Sequence, residues 1–160
     1  MIKALVAVSL LLFLAFPVLA DERQEQLFGV WNLQTYEVEF QDTGERTAPF
    51  GAHPNGIGIF TPEGRTMGIL TAEGRKAPQT DADRAEAFRT MIAYSGIYRL
   101  EEDRWITKVD IAWNEARNGT EQVRYYSVEG DALTVTTPWM PQLNHDGRIG
   151  RGILTWIRAK

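Results

Sequence analysis

Two short motifs at opposite ends of the chain constrain its fold most strongly. Gly29-Val30-Trp31 opens the first β-rich segment, and Trp156-Ile157-Arg158 lies close to the end of the sequence. In a closed antiparallel barrel the first and last strands are neighbours, so the Arg158 guanidinium can stack on the Trp31 indole. The motifs predict such a barrel, with Gly29, Trp31 and Arg158 in a structural role at one end. A ligand contact at this pair is the weaker alternative, because cation–π stacking contributes only about 0.5–2 kcal/mol.

The sequence between these motifs is typical of many short strands. Runs of β-forming residues recur between Gly, Pro, Asp and Asn, as in antiparallel barrels or sandwiches. Asn118-Gly119 predicts a type I′ turn between the fifth and sixth strands. Eight strands are predicted near Val30–Phe40, Gly56–Phe60, Thr66–Thr71, Gly96–Leu100, Trp105–Trp113, Glu121–Val128, Ala132–Thr137 and Gly152–Arg158.

One segment predicts a helix. Thr80 and Asp83 are spaced as in a capping box. An apolar stripe follows and extends to about Tyr94, at the helical positions Ala85, Phe88, Met91 and Ile92. Inserted between the third and fourth strands, such a helix is expected to lie across one end of the barrel as a lid whose apolar face closes the cavity.

The N-terminal residues predict export. Met1-Ile2-Lys3 is followed by an apolar run to Phe16 and by Pro17-Val18-Leu19-Ala20, a pattern typical of a secretory signal cleaved after Ala20. An uncleaved anchor is the alternative, although the run is short for a membrane span. We therefore expect a signal peptide over residues 1–20, one domain over residues 21–160, a periplasmic or secreted location and no stable membrane insertion after cleavage.

Composition narrows the partners. The chain has 17 basic and 21 acidic residues, and this acidic balance argues against nucleic acid and anionic membranes as partners. Five Trp, five Tyr and seven Phe suit a barrel interior or an apolar pocket. The expected partner is a small, mainly apolar molecule, and the expected state is a monomer or homodimer. Without Cys there are no disulfides.

Six sequence pieces, in order, carry a family resemblance: Leu27-Phe28-Gly29-Val30-Trp31, Pro49-Phe50-Gly51, Gly56-Ile57-Gly58-Ile59-Phe60-Thr61-Pro62-Glu63-Gly64-Arg65, Ile92-Ala93-Tyr94-Ser95-Gly96-Ile97-Tyr98, Gly119-Thr120-Glu121-Gln122-Val123-Arg124 and Gly130-Asp131-Ala132-Leu133-Thr134. Together they resemble the bacterial and fungal lipocalin-like domain family. The resemblance implies an all-β fold with one short helix, an up-and-down antiparallel barrel of about eight strands. It implies little about activity, and the His-containing stretch of the family pattern is absent from residues 105–111, so no role for an imidazole there is carried over.

The segment around Arg124 has two possible registers. One face carries Gln122, Arg124, Tyr126 and Val128, and the other carries Glu121, Val123, Tyr125 and Ser127. If the first face points inward, Arg124 and Gln122 are polar anchors suited to a carboxylate or keto group on an apolar ligand. A shift of one residue would place Arg124 at the surface instead. The family resemblance favours the inward register.

Three further aromatic residues are candidates for ligand contact. Tyr94 follows the predicted helix, where its phenol can face the cavity mouth or its ring can pack the helix onto the barrel. Trp113 ends an alternating set that is predicted to fill the interior and that leaves Asp110 outside: Trp105, Thr107, Val109, Ile111 and Trp113. In the opposite register Asp110 could pair with Arg124 across neighbouring strands. Trp139, beside Met140 in a long loop, lines the entrance or covers the barrel end. The candidate ligand-binding residues are Tyr94, Trp113, Gln122, Arg124, Tyr126 and Trp139.

These residues favour a binding or carrier module. One alternative is an isomerase, cyclase or hydro-lyase that uses Tyr94 with Arg124 or Asp110. Another is a cell-envelope protein that binds a partner through an exposed apolar patch around Trp139 and Met140. The only histidines, His53 and His145, lie in loops without ligand spacing, so we assign no catalytic residue, no metal site and no cofactor.

Overall fold

The strands of this protein close into an eight-strand antiparallel barrel. The computed structural model describes residues 22–142 and 146–160, so the predicted signal peptide and His145 lie outside the described residues. The elements are β1 (Gly29–Phe40), β2 (Arg46–Thr47), β3 (Asn55–Phe60), β4 (Arg65–Thr71), α1 (Asp81–Arg89), β5 (Met91–Glu101), β6 (Arg104–Ala112), a 3₁₀ turn (Glu115–Arg117), β7 (Glu121–Glu129), β8 (Ala132–Thr136), β9 (Met140–Pro141) and β10 (Ile149–Arg158).

The topology is up-and-down. The pairing order is β1-β3-β4-β5-β6-β7-β8-β10, and β10 pairs back with β1 to close the barrel. The short strand β2 pairs antiparallel with β1, and the short strand β9 pairs antiparallel with β10. All eight predicted strands are present, and the predicted all-β barrel with one short helix is confirmed. β2 and β9 were not predicted, because two residues are too few to show a periodicity of two.

The two terminal motifs meet at one end of the barrel. Trp31 of β1 is the register partner of Arg158 of β10, and the guanidinium carbon lies 4.2 Å from the centroid of the Trp31 ring. The Trp31 side chain is fully buried, and its Nε1 donates a hydrogen bond of 2.8 Å to the Leu27 carbonyl oxygen. The indole therefore joins the first strand, the last strand and Leu27, which follows the short helical turn at residues 22–25.

Arg158 also hydrogen-bonds to the chain that enters β1. Its Nη1 donates to the Phe28 carbonyl oxygen at 2.6 Å, and its Nη2 donates to the Gln26 carbonyl oxygen at 2.8 Å. Gly29 sits beside this guanidinium with a φ of +112°, a conformation that L side chains rarely adopt. Glycine at position 29 therefore lets the backbone turn into β1 while Arg158 covers the end of the barrel.

The core lies next to this closed end. Phe60 makes edge-to-face contacts with Tyr98 and Trp105, at centroid distances of 5.3 and 5.0 Å. The aliphatic side chains of Leu133 and Leu154 are buried in the same cluster as Trp31. Because every long strand presents alternate side chains inward, this cluster is continuous around the barrel.

A β-bulge changes the pattern that the sequence predicts for β6. Gly96 of β5 pairs with Val109, but the preceding Ser95 pairs with Ile111, so Asp110 is the extra residue. Beyond the bulge, side chains that simple alternation would point inward point outward. Ile111 is therefore 65% exposed, and the prediction that it is buried is wrong. Asp110 is exposed as predicted and forms an ion pair of 2.7 Å with Arg65.

The helix α1 starts where predicted but ends earlier. The capping box is present: the Asp83 N–H donates to Thr80 Oγ1 at 3.2 Å, and the Thr80 N–H donates to Asp83 Oδ2 at 2.9 Å. The helix ends at Arg89 rather than near Tyr94, because the segment from Met91 onward pairs with β4. None of the α1 residues is buried, so the helix lies beside the barrel mouth and does not fill it.

Candidate functional site

A cavity of about 90 Å³ lies inside the barrel. Its deep walls are apolar and include Trp31, Phe60, Trp105, Leu133, Leu154 and Trp156. Its polar lining residues include Tyr36, Tyr94 and Arg124, together with two threonines. An apolar cavity of about 150 Å³ can take up benzene, so this smaller cavity suits a small group or the short end of a larger molecule.

A second depression, here called the mouth groove, lies outside the cavity. It measures about 340 Å³ and is lined by the rings of Tyr36, Phe50, Phe88 and Trp113, by Arg117 and by Met140, among others. Tyr36 and Ile92 line both spaces, so the cavity and the mouth groove are adjacent. A ligand with its end in the cavity would therefore extend along the groove, beside α1.

Arg124 lies on the cavity side of β7. It pairs in register with the buried Trp105, and its guanidinium carbon is 5.8 Å from the centroid of the Tyr94 ring. Its Nη1 donates a hydrogen bond of 2.7 Å to the Val123 carbonyl oxygen. The flanking Tyr125 is exposed. Of the two registers that the sequence allowed, the structure has the inward one.

Arg117 is a site residue that the sequence analysis missed. It ends the 3₁₀ turn between β6 and β7, which Asn114 caps by accepting a hydrogen bond of 3.1 Å from the Ala116 N–H. The predicted type I′ turn is wrong, because Asn118 has a φ of −61° and only Gly119 has a positive φ. This longer connection brings Arg117 back over the mouth groove, where its guanidinium carbon lies 5.1 Å from the centroid of the Trp113 ring.

Gln122 connects the two arginines. Its Oε1 accepts a hydrogen bond of 2.7 Å from Arg117 Nη1 and one of 3.4 Å from Arg124 Nη2. Among the described residues neither guanidinium has an ion pair with a carboxylate, whereas Arg65 on the outer surface pairs with Asp110. Two positive charges therefore share one neutral acceptor at the junction of the cavity and the mouth groove.

Burial and this positive charge both act on the pKa values of the neighbouring groups. Burial, and then the positive charge of Arg124, lowers the pKa of the Arg117 guanidinium. Burial raises the pKa of the Tyr36 phenol, although the charges of Arg124 and Arg117 act in the opposite direction. Tyr36 therefore stays protonated at neutral pH and remains a hydrogen-bond donor at the junction.

The other predicted ligand residues are distributed over three places. Tyr94 lines the cavity, as part of β5 and not of a loop after the helix. Trp113 lines the mouth groove and donates from Nε1 to the Phe88 carbonyl oxygen at 3.2 Å. Tyr126 is not among the residues that line either space, because its ring packs on Trp105 with a centroid distance of 5.3 Å.

Trp139 also lies away from both spaces. It is 40% exposed, and the Arg151 guanidinium carbon lies 4.6 Å from its ring centroid. Its neighbour Met140 lines the mouth groove, as do Pro141 and Gln142. Exposed apolar side chains are also found on the outer face of β3 and β4, where Ile57 and Ile69 are register partners. Exposed apolar side chains are therefore present around Trp139 and Met140, as the partner-binding alternative requires, and also on these two strands.

The groups proposed for the enzyme alternative do not all meet. Tyr94 and Arg124 are neighbours on the cavity wall, but Asp110 lies on the outer surface. Within residues 22–142 and 146–160 the cavity lining contains no carboxylate and no imidazole. The wall thus offers the phenol groups of two tyrosines and the positive charge of Arg124.

Comparisons with known proteins agree with the fold. A family model described as a lipocalin-like domain matches residues 28–159. No curated protein matches the chain. Among the described residues no helix is long and apolar enough to cross a membrane, and no group of His, Cys, Asp and Glu side chains is arranged to hold a metal ion.

Proposed function

Because the chain belongs to the lipocalin-like domain family, we propose that it binds a small, mainly apolar molecule inside its barrel and acts as a carrier or binding protein. The observation that carries this proposal is the apolar cavity, which is closed at one end by Trp31 and Arg158 and continues at the other into the mouth groove. Pockets of this kind, mostly apolar with a few polar groups at defined points, are typical of small-molecule sites.

The N-terminal sequence supports a location for this function. The apolar run before Ala20 has the features of an export signal, so we propose that the protein binds its ligand in the periplasm or outside the cell. Purification of the full chain from its own host, without detergent, followed by native mass spectrometry and organic extraction, tests both points. A processed N-terminus at Asp21 with a discrete bound molecule is the expected result. A full-length mass would contradict export by cleavage, and a uniformly empty protein would contradict the carrier role.

Filling the cavity should weaken binding without harming the fold. A Cβ added at Gly68 meets no atom within 4 Å, and Gly68 lines the cavity. In Gly68→Val the new side chain occupies space for about three ligand carbons, at about 0.8 kcal/mol each. We expect the affinity for 1-hexanol, followed by NMR titration, to fall about tenfold or more.

The matched control is Ile69→Val, which changes an exposed side chain on the same strand. We expect this variant to bind 1-hexanol like the unmodified protein. Thermal unfolding of both variants should stay close to that of the unmodified protein, since valine is favoured in strands. If Gly68→Val still binds 1-hexanol with full affinity, the ligand does not use this cavity.

A further inference from the structure

Two arginines at the junction of the cavity and the mouth groove lack a counter-charge. Arg117 and Arg124 both donate to Oε1 of Gln122, at 2.7 and 3.4 Å. The Gln122 amide group is neutral, so no full negative charge offsets the repulsion between the two guanidinium groups. In the described part of the chain, most other arginines have a carboxylate partner, as Arg99 has Glu121 at 2.8 Å. The junction of the cavity and the mouth groove therefore carries positive charge without a carboxylate partner, on the path that a ligand would take.

The two guanidinium groups are held in place with donors to spare. Arg124 is beside the Tyr94 ring and Arg117 is beside the Trp113 ring, and such contacts fix a guanidinium while its edge remains available. Each guanidinium has five N–H donors. Within the described residues Arg117 donates one hydrogen bond and Arg124 donates two, so most of their donors are free.

The position of each arginine defines the geometry of a ligand. Arg124 belongs to the cavity wall and Arg117 to the mouth groove, and Tyr36 lines both spaces. An anionic group between the two arginines would therefore sit at the opening of the cavity. A short apolar chain attached to it would point toward the apolar walls at Phe60 and Trp105. The cavity of about 90 Å³ limits that chain to a few carbon atoms.

We propose that Arg117 and Arg124 form a carboxylate-binding site, and that the ligand is a small organic acid whose apolar part enters the cavity. This inference rests on the proposed function and adds the chemical class of the ligand. A carboxylate presents two coplanar oxygens that match the fork of a guanidinium, and its negative charge compensates the pair. Tyr36 lines the same opening, and its hydroxyl is a further hydrogen-bond donor.

The test compares ligands of equal chain length that differ in charge. Hexanoate, hexanamide and 1-hexanol are titrated into the full protein at pH 7 and low salt, and binding is followed by NMR and by calorimetry. We expect hexanoate to bind at least tenfold more tightly than either neutral compound. Hexyl phosphate is the fourth ligand, because its anion is larger and tetrahedral; tighter binding of hexyl phosphate than of hexanoate would overturn the assignment to carboxylates.

Variants then locate the site. Arg117→Met and Arg124→Met keep an unbranched apolar stem and remove the charged guanidinium, and each should reduce hexanoate affinity about tenfold while the affinity for 1-hexanol changes less than about twofold. The matched control is Arg65→Met, which removes a surface arginine that pairs with Asp110. We expect it to bind hexanoate like the unmodified protein.

The outcomes separate this inference from the proposed function. If hexanoate and 1-hexanol bind equally well, the protein binds apolar molecules but has no carboxylate site. If neither binds, the proposed function itself fails. If hexanoate is preferred but Arg65→Met weakens it as much as Arg117→Met does, the preference comes from general surface charge and the assigned site is wrong. The ligand comparison uses the unmodified protein, so the test holds even if a variant does not fold.

Discussion

Replacing Trp31 by alanine is expected to lower the free energy of unfolding by about 3–5 kcal/mol, which is the usual cost of removing a large buried aromatic side chain. The Trp31 side chain is fully buried in the core cluster. Its loss leaves a cavity beside Leu27 and removes the indole on which Arg158 stacks. Urea denaturation followed by circular dichroism measures the effect, because tryptophan fluorescence itself changes in this variant.

Trp139→Ala is the matched control for this experiment. The substitution is the same, but Trp139 is 40% exposed and contacts the side chain of Arg151 on the outside of the barrel. We expect a loss below about 1 kcal/mol, as for most surface positions. Equal losses for Trp31→Ala and Trp139→Ala would mean that the closed end of the barrel contributes no more to stability than an external loop.

The barrel itself could be predicted because its determinants are local or terminal. Strand-forming runs and glycine turns define the eight strands, and the Trp31 and Arg158 motifs indicate which strands close the sheet. Each of these signals depends on residue type and spacing, which are present in the sequence. The residue pattern alone leaves the register of Arg124 open, since either face of β7 carries a mixture of polar and aromatic residues, and only the family resemblance favours the inward register.

Two errors come from tertiary pairing. Met91 and Ile92 fit a helical stripe as well as they fit a strand, and their pairing with Thr71 and Leu70 of β4 decides in favour of the strand. Ile111 fits an inward alternation until the bulge at Asp110 reverses the faces. In both cases the local pattern is compatible with two structures, and a contact with a neighbouring strand selects one of them.

The site was only half predictable for a different reason. Arg124 lies on a strand, where alternation assigns it to one of two faces. Arg117 lies in a non-repetitive connection, and its approach to Gln122 depends on the 3₁₀ turn and on Gly119 with its φ of +75°. No periodicity marks such a residue. A search for loop arginines close in sequence to a cavity-lining strand would have been the only sequence signal for it.

Replacing Gly96 by alanine is expected to destabilise the barrel by about 3 kcal/mol or more, above the usual range for over-packing. Gly96 lies at the bulge, and a Cβ there would be 2.1 Å from the Lys108 carbonyl oxygen and 2.8 Å from the Lys108 carbonyl carbon. Both atoms belong to the backbone of β6 and cannot rotate away. The strands β5 and β6 would have to separate, which costs hydrogen bonds on both sides of the bulge. Urea denaturation measures the loss.

Gly68→Ala provides the comparison, because it makes the same chemical change on the adjacent strand β4. A Cβ at Gly68 meets no atom within 4 Å, so alanine there should leave stability unchanged or raise it by up to about 1 kcal/mol. If Gly96→Ala is as stable as Gly68→Ala, then β5 and β6 do not approach closely and the bulge is not where the structure has it. That result would also affect the site, since the bulge sets the path from β6 to Trp113 and on to Arg117, and thereby the position of the second arginine.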